Sequence, residues 1–222
     1  MKFRELAAEF FGTYCLVFAG TGAVVINGIS GGAVTHVGIS LTFGLVVLAM
    51  IYSIGDISGA HLNPAVTLGF CTSGRMAWRK LLPYAMSQVL GALAASGTLR
   101  ALFGNVYNLG ATNPAGSLAQ SFLLELILTA ILMFVILNVS LGSREKGITA
   151  GIAVGATIGL EALFAGPICG ASMNPARSLG PALLSGDLRN LWIYLAAPTC
   201  GALVGVVISR CVQGSEKAEA AL

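Results

Sequence analysis

Charge is what this chain has least of. Asp, Glu, Lys and Arg make up 9% of its 222 residues, where a soluble domain carries about 25%. That scarcity excludes an ordinary soluble globule. The net charge of +3 comes from few residues, so the clustered basic face that nucleic acid needs is missing and no nucleic-acid partner is expected. Histidine is equally sparse. His36 and His61 stand isolated, without the third ligand or neighbouring thiolate of a metal centre. The five cysteines (Cys15, Cys71, Cys169, Cys200 and Cys211) show neither CxxC pairing nor metal spacing. Four fall in or beside apolar segments, where cysteine behaves as a small core residue, so no disulfide framework is expected. A Ser–His–Asp set, a Gly-rich phosphate loop and a paired acid and base are all missing. Catalysis has no candidate residues, and no cofactor is implied.

What the chain has is apolar length. Hydrophobic residues make up 56% and the mean hydropathy is +0.85, the profile of a membrane protein. Its 29 glycines suit close helix packing in lipid. Apolar stretches fall at about 6–26, 34–52, 81–102, 118–140, 147–166 and 190–211, each near the roughly 20 residues that a spanning helix needs. The first resembles a signal peptide, with Lys2 and Arg4 ahead of it. It is interrupted by Glu9 and runs on to about Ile26, which makes it a first span. Six spans put both termini on one side. If that side is cytoplasmic it holds Lys2, Arg4, Arg75, Arg79, Lys80, Arg144, Lys146, Arg210 and Lys217, leaving Arg100, Arg177 and Arg189 elsewhere. The bias predicts cytoplasmic N- and C-termini in a multi-pass protein of the cell membrane.

Two stretches nearly repeat each other. Ser58-Gly59-Ala60-His61-Leu62-Asn63-Pro64-Ala65-Val66-Thr67-Leu68-Gly69 matches Cys169-Gly170-Ala171-Ser172-Met173-Asn174-Pro175-Ala176-Arg177-Ser178-Leu179-Gly180 at Gly, Ala, Asn, Pro, Ala, Leu and Gly. Each has Asn at an N-cap, Pro64 or Pro175 at the first helical position, then an apolar run. Ser73-Gly74 and Ser185-Gly186 end those runs after about ten residues, roughly 15 Å of helix and half a bilayer core. Half-helices of this kind mark discontinuous spans whose irregular backbone lines a cavity. Glu9-Phe10-Phe11-Gly12-Thr13 and Glu125-Leu126-Ile127-Leu128-Thr129 open the two halves. Three spans per half require the second copy to be inverted. The expected fold is thus an all-α membrane protein, six transmembrane helices plus two re-entrant half-helices, in one channel domain over 1–222 with repeats 1–111 and 112–222. A third Asn113-Pro114-Ala115 lacks the matching Ser/Cys-Gly-Ala approach and is followed at once by Gly116; it reads as an extracellular turn.

The candidate site follows from these pieces. Opposed helix starts at Asn63 and Asn174 combine positive dipole ends with amide donors, which suits neutral hydroxyl-bearing solutes and repels cations. Arg177, inside the second half-helix, is either a partner of Asp187 or Glu161 or a pore-lining donor. Glu9 and Glu125 are either proton-coupling groups or acceptors for the backbone N–H groups of the segments before each Asn-Pro-Ala. Glu161 has no counterpart in the first half. It holds Arg177 or nearby loop N–H groups, or borders the pore. His61 is expected to order the loop entering the first half-helix.

Ala8-Glu9-Phe10-Phe11-Gly12-Thr13, the paired Asn-Pro-Ala stretches and Arg177-Ser178 together resemble the major intrinsic protein family of aquaporins and glyceroporins, over nearly the whole chain. The resemblance implies a homotetramer with one pore per subunit and passive flow of water or small neutral solutes. It also implies a constriction at Phe43, Ala162, Ala171 and Arg177. Water-strict members typically have His where Ala162 stands, and glycerol facilitators have Asp where Ser178 stands. Phe164-Ala165-Gly166-Pro167-Ile168-Cys169 and Leu191-Trp192-Ile193-Tyr194-Leu195-Ala196-Ala197-Pro198 are most similar to the nodulin-26-like branch and its bacterial relatives. That branch is associated with glycerol, water and uncharged metalloid acids such as arsenous and boric acid. Its plant members usually carry long polar N-terminal extensions, not seen here, so a prokaryotic source is expected. The function expected is a passive channel for water and small uncharged solutes, with a water-selective channel as the alternative and a secondary transporter as the runner-up from another class.

Overall fold

The computed structural model describes residues 2–140 and 144–213, with side chains from 149 onward in the second stretch. Among these residues eight α-helices follow in order: α1 (Phe3–Ile29), α2 (Thr35–Ser58), α3 (Pro64–Thr72), α4 (Leu81–Phe103), α5 (Leu118–Val139), α6 (Arg144–Cys169), α7 (Pro175–Ser185) and α8 (Leu191–Gln213). Among the described residues there is no strand. Five helices are long and apolar enough to cross a membrane, namely α1, α2, α5, α8 and the Thr149–Cys169 part of α6. The sixth expected span, α4, has the length at 23 residues, but Ser87, Gln88, Ser96 and Arg100 dilute its apolar content. The short helices are those the Asn-Pro pairs announce. Asn63 caps α3, accepting from the Ala65 N–H, and Asn174 caps α7, accepting from Ala176 and Arg177. Pro64 and Pro175 stand at the first helical position, where no N–H is needed. Left-handed glycines follow both ends, Gly74 at φ 82° and Gly186 at φ 87°.

The distribution of polarity is inverted relative to a soluble protein. Leu45 and Leu160 are 59% and 61% exposed on the outside, while Glu9 and Glu125 are fully buried. Apolar side chains facing outward and acids facing inward are what a lipid solvent selects. Among the described residues no helix exposes a carboxylate at mid-length: Glu9, Glu125 and Glu161 are all buried.

Packing repeats between the halves. α1 packs on α2 and α4 as α5 packs on α6 and α8, and each short helix packs on the last long helix of the other half, α3 on α8 and α7 on α4. The same atoms recur in these contacts. Tyr84 of α4 donates to the Ser58 carbonyl at the end of α2 (3.1 Å), and Tyr194 of α8 donates to the Cys169 carbonyl at the end of α6 (2.7 Å). Arg100 near the end of α4 caps the end of α7 through the Leu184 carbonyl, and Arg210 near the end of α8 caps α3 through the Thr72 carbonyl. Between the halves α2 crosses α6 backbone to backbone. A Cβ on Gly44 would lie 2.6 Å from the Gly155 carbonyl oxygen, and one on Gly155 would lie 2.7 Å from that of Gly44. Only glycine permits this approach. The crossing brings the two re-entrant loops together over a shared interior.

Candidate functional site

The chain enters α3 and α7 through loops of the same shape. Gly59, Ala60 and Leu62 have φ of 90°, 47° and 52°, and Gly170, Ala171 and Met173 have 90°, 41° and 52°. Left-handed φ costs Ala, Leu and Met about 1 kcal/mol or more each, so these loops need external holding. Two buried carboxylates hold them. Glu9 accepts from the N–H groups of His61 (2.9 Å) and Leu62 (2.8 Å), and also from Ser58 Oγ and Gln88 Nε2. Glu125 accepts from the N–H groups of Ser172 and Met173, both at 2.8 Å. In a trans peptide the carbonyl points opposite to the N–H. Fixing those four N–H groups therefore turns the carbonyls of Ala60, His61, Ala171 and Ser172 away from the glutamates, toward the cavity that these residues line.

The two helix starts are tied directly. Asn63 Nδ2 donates to the Met173 carbonyl (2.7 Å) and Asn174 Nδ2 donates to the Leu62 carbonyl (2.8 Å). Each amide has a second N–H to offer, and both asparagines line the same cavity, opposite an apolar wall that includes Val47, Ile51, Val154 and Ile158. His61 is stacked on Phe70 at 4.3 Å between ring centres and bonds Thr67 Oγ1 through Nδ1 at 3.1 Å, which fixes the first loop on its half-helix.

A second cavity, with Asn27, His36, Ser40, Thr112 and Asn113 on its walls, lies beyond the first. The two share four residues: Phe43, Ala162, Ala171 and Arg177. These four, which the sequence marks from separate segments, line both cavities. The Phe43 ring packs on Gly20 of α1, where any Cβ would collide with it. The Arg177 guanidinium carbon is 5.0 Å from the centre of that ring, within cation–π range. Its Nη1 donates to the Gly110 carbonyl at 2.9 Å, and its Nε has no protein partner.

One alternative is set aside here and one expectation is corrected. Arg177 is not ion-paired with Asp187 or Glu161. Asp187 pairs with Arg189 at 2.9 Å and accepts from Asn113 Nδ2, and the Arg189 guanidinium holds the Asp187 carboxyl down at about 2. Glu161 does not hold Arg177 or any loop N–H, since both of its oxygens are buried without a partner, and it does not border either cavity. Its side chain is 1% exposed, on the α6 helix. No helix starts at Pro114; the segment is irregular and Ser117 caps α5 instead. Of the cations that suggest orientation, Lys217 lies outside the described residues and Arg144 and Lys146 outside the described side chains. Conversely, motif reading missed the Tyr107–Gly110 turn that supplies the acceptor for Arg177. It missed as well the hydroxyls of Thr112 and Ser172 that meet Ser178. The usable signal was Thr67 and Ser178, hydroxyls at the same offset after the two asparagines.

Known proteins resemble this chain in sequence and in fold. Residues 1–209 match the model of the major intrinsic protein family. The chain belongs to that family. It is 53% identical over 203 residues to "Aquaporin NIP1-1" of Zea mays, covering 91% of this chain and 72% of that protein. It is 44% identical to "Aquaporin NIP1-1" of Arabidopsis thaliana over 96% of this chain and 75% of the relative. Among solved structures it is similar to an aquaglyceroporin from Plasmodium falciparum, with a TM-score of 0.83, 30% identity and 98% of both chains covered. As a major intrinsic protein this chain is a membrane channel for water and small solutes, and not an enzyme.

Proposed function

We propose that the two cavities form one continuous pore whose selectivity filter is Phe43, Ala162, Ala171 and Arg177, and that it passes glycerol-sized neutral solutes as well as water. The observation that carries this reading is the sharing of those four residues between the chambers, two of them alanine. An aromatic wall and a guanidinium on two sides suit a solute with carbon on one face and hydroxyls on the other, and two methyl groups leave room for it. Glycerol fits that description, as do the uncharged boric and arsenous acids.

Asn63 and Asn174 act as paired donors at the pore's middle, where the helix starts of α3 and α7 each bring roughly half a positive charge. Together with Arg177 they bar protons and metal cations, which lose hydration there without compensation. Glu9 and Glu125 are structural, holding the loop carbonyls as a ladder of acceptors for the moving solute. Pro64 and Pro175 start the two half-helices. The repeats are 1–111 and 112–222, both termini are cytoplasmic, and the protein sits in the cell membrane as a homotetramer with a pore in each subunit.

Shrinkage of proteoliposomes under gradients of glycerol, boric acid and arsenous acid, with water flux measured in the same vesicles, tests the reading. Solute entry without an ion gradient, linear in concentration, is expected. Rapid water flux with no solute entry would make the pore water-selective, and a requirement for an ion gradient would make the protein a transporter.

A further inference from the structure

We infer that Thr112 and Ser178 are positioning residues for the filter: a directed chain of hydroxyl hydrogen bonds through them sets where the Arg177 guanidinium stands. This rests on the filter assigned above. Thr112 Oγ1 lies 2.7 Å from Ser178 Oγ, which lies 2.6 Å from Ser172 Oγ, and Ser172 Oγ donates to the Asn174 carbonyl at 3.0 Å. Each hydroxyl has one proton. With the Ser172 proton on the carbonyl, Ser178 donates to Ser172 and Thr112 donates to Ser178, and Thr112 is also in side-chain contact with Tyr194 of α8. In that arrangement the chain starts at Thr112.

Its start lies on the turn that holds the arginine. Gly110, two residues before Thr112, presents its carbonyl to Arg177 Nη1, and Ser178 is the next residue along α7. Turn and helix are thus clamped at two adjacent points. The turn needs the clamp, because Tyr107, Asn108, Leu109 and Gly110 all have positive φ, between 48° and 72°, a run that L-residues do not hold by local preference. Tyr107 ties its far end to the Gly28 carbonyl, and the Ala115 N–H ties the following segment to α6. Among its described hydrogen bonds, those of Gly110 and Thr112 reach α7 itself.

The first half carries the informative contrast. There His61 bonds Thr67, the positions matching Ser172 and Ser178, but the third member is Gln88 of the long helix α4, anchored in turn on Glu9. The half that lacks an arginine is tied to a rigid helix. The half that has one is tied to the turn that orients it. Thr112 is also shaped to its place, since its Cγ2 would stand 3.0 Å from a Cβ on Gly170.

Thr112→Val keeps the shape and removes the first proton of the chain, leaving every remaining donor with its acceptor. The permeability of erythritol relative to glycerol, in proteoliposomes, reads the filter's bore. With Arg177 loosened, that ratio rises by about threefold or more, as expected for coupled neighbours. Thr112→Ser restores the wild-type ratio, Ser178→Ala raises it similarly, and the double variant Thr112→Val/Ser178→Ala goes no further than either single. Ala162→His, which narrows the same filter directly, lowers the ratio. If Ala162→His shifts the ratio while Thr112→Val and Ser178→Ala, with unchanged melting temperatures, leave it at wild type, this inference falls and the filter stands. If none of them shifts it, the filter assignment falls too. Should Thr112→Val not fold, the ratio measured for Ser178→Ala separates the same two outcomes.

Discussion

Arg177 contributes a buried charge to a pore meant for neutral solutes, and its surroundings explain why it is tolerated. It is 4% exposed, held by one carbonyl and one aromatic face, and its free Nε leaves donor capacity for whatever passes. Replacing it with Val removes the barrier and the donor together. Arg177→Val is expected to admit protons or small cations, seen as dissipation of a pH gradient across vesicles, while neutral flux persists. A variant that folds and stays as tight as wild type would remove Arg177 from the charge barrier. Cys169 sits two residues from Ala171 of the proposed filter, but its thiol is fully buried, 3.6 Å from the Ala165 carbonyl and 3.4 Å from the Ala171 N–H. Mercury is therefore expected to inhibit weakly or not at all, and strong block abolished by Cys169→Ser would contradict that burial. Asparagine and arginine announced themselves in the sequence because their offsets repeat or break a repeat. Glu161 did not disclose its surroundings. Its neighbour in sequence, Ala162, is in the proposed filter, yet one step around a helix turns a side chain about 100°, and Glu161 is buried away from both cavities.

At the scale of elements, the half-helices and their loops depend on two carboxylates. The Asn-Pro pairs made the starts of α3 and α7 legible, and the Ser-Gly pairs made their ends legible to within a residue. The two loops were legible as irregular backbone with unmet N–H groups, for which matching acids nearby were the natural acceptors. Glu125→Ala leaves the N–H groups of Ser172 and Met173 buried and unpaired, at about 1–3 kcal/mol each. A drop in melting temperature together with lost solute flux is the expected result, and an unchanged melting curve would mean the loop holds itself. Asp187 belongs to the loop after α7 and behaves differently. With its carboxyl held down at about 2 by Arg189, the contact to Asn113 is present above the usual carboxylate range and is lost only as pH falls through about 2. Asp187→Asn should therefore leave the shape of the permeability profile between pH 4 and 8 unchanged, and a new pH step in that window would contradict the assignment. The Tyr107–Gly110 turn was not legible at all. A left-handed run of Tyr, Asn and Leu has no sequence signature, since only its final residue is the glycine that favours such φ, and its tethers come from residues distant in the chain.

Across the whole molecule, the same contacts made twice around one glycine crossing build an interior with polar backbone on one side and hydrocarbon on the other. Gly44→Ala would drive a methyl against the Gly155 carbonyl and is expected to destabilise by about 1–3 kcal/mol, read as a lower unfolding midpoint. Most of this architecture could be read from apolar lengths and the internal repeat. The span α4 was legible by the length of its apolar stretch despite its serines and glutamine. What pattern could not reveal is how the second half departs from the first, trading the helix-borne Gln88 for a turn-borne Thr112. The central claim is that two alanines opposite Phe43 and Arg177 make the pore wide enough for glycerol. The most direct test is the glycerol and water permeability of wild type and Ala162→His in the same proteoliposome preparation. Glycerol flux should be present in wild type and fall far more than water flux in the variant; no glycerol flux in wild type, or equal loss of both in the variant, would contradict the account.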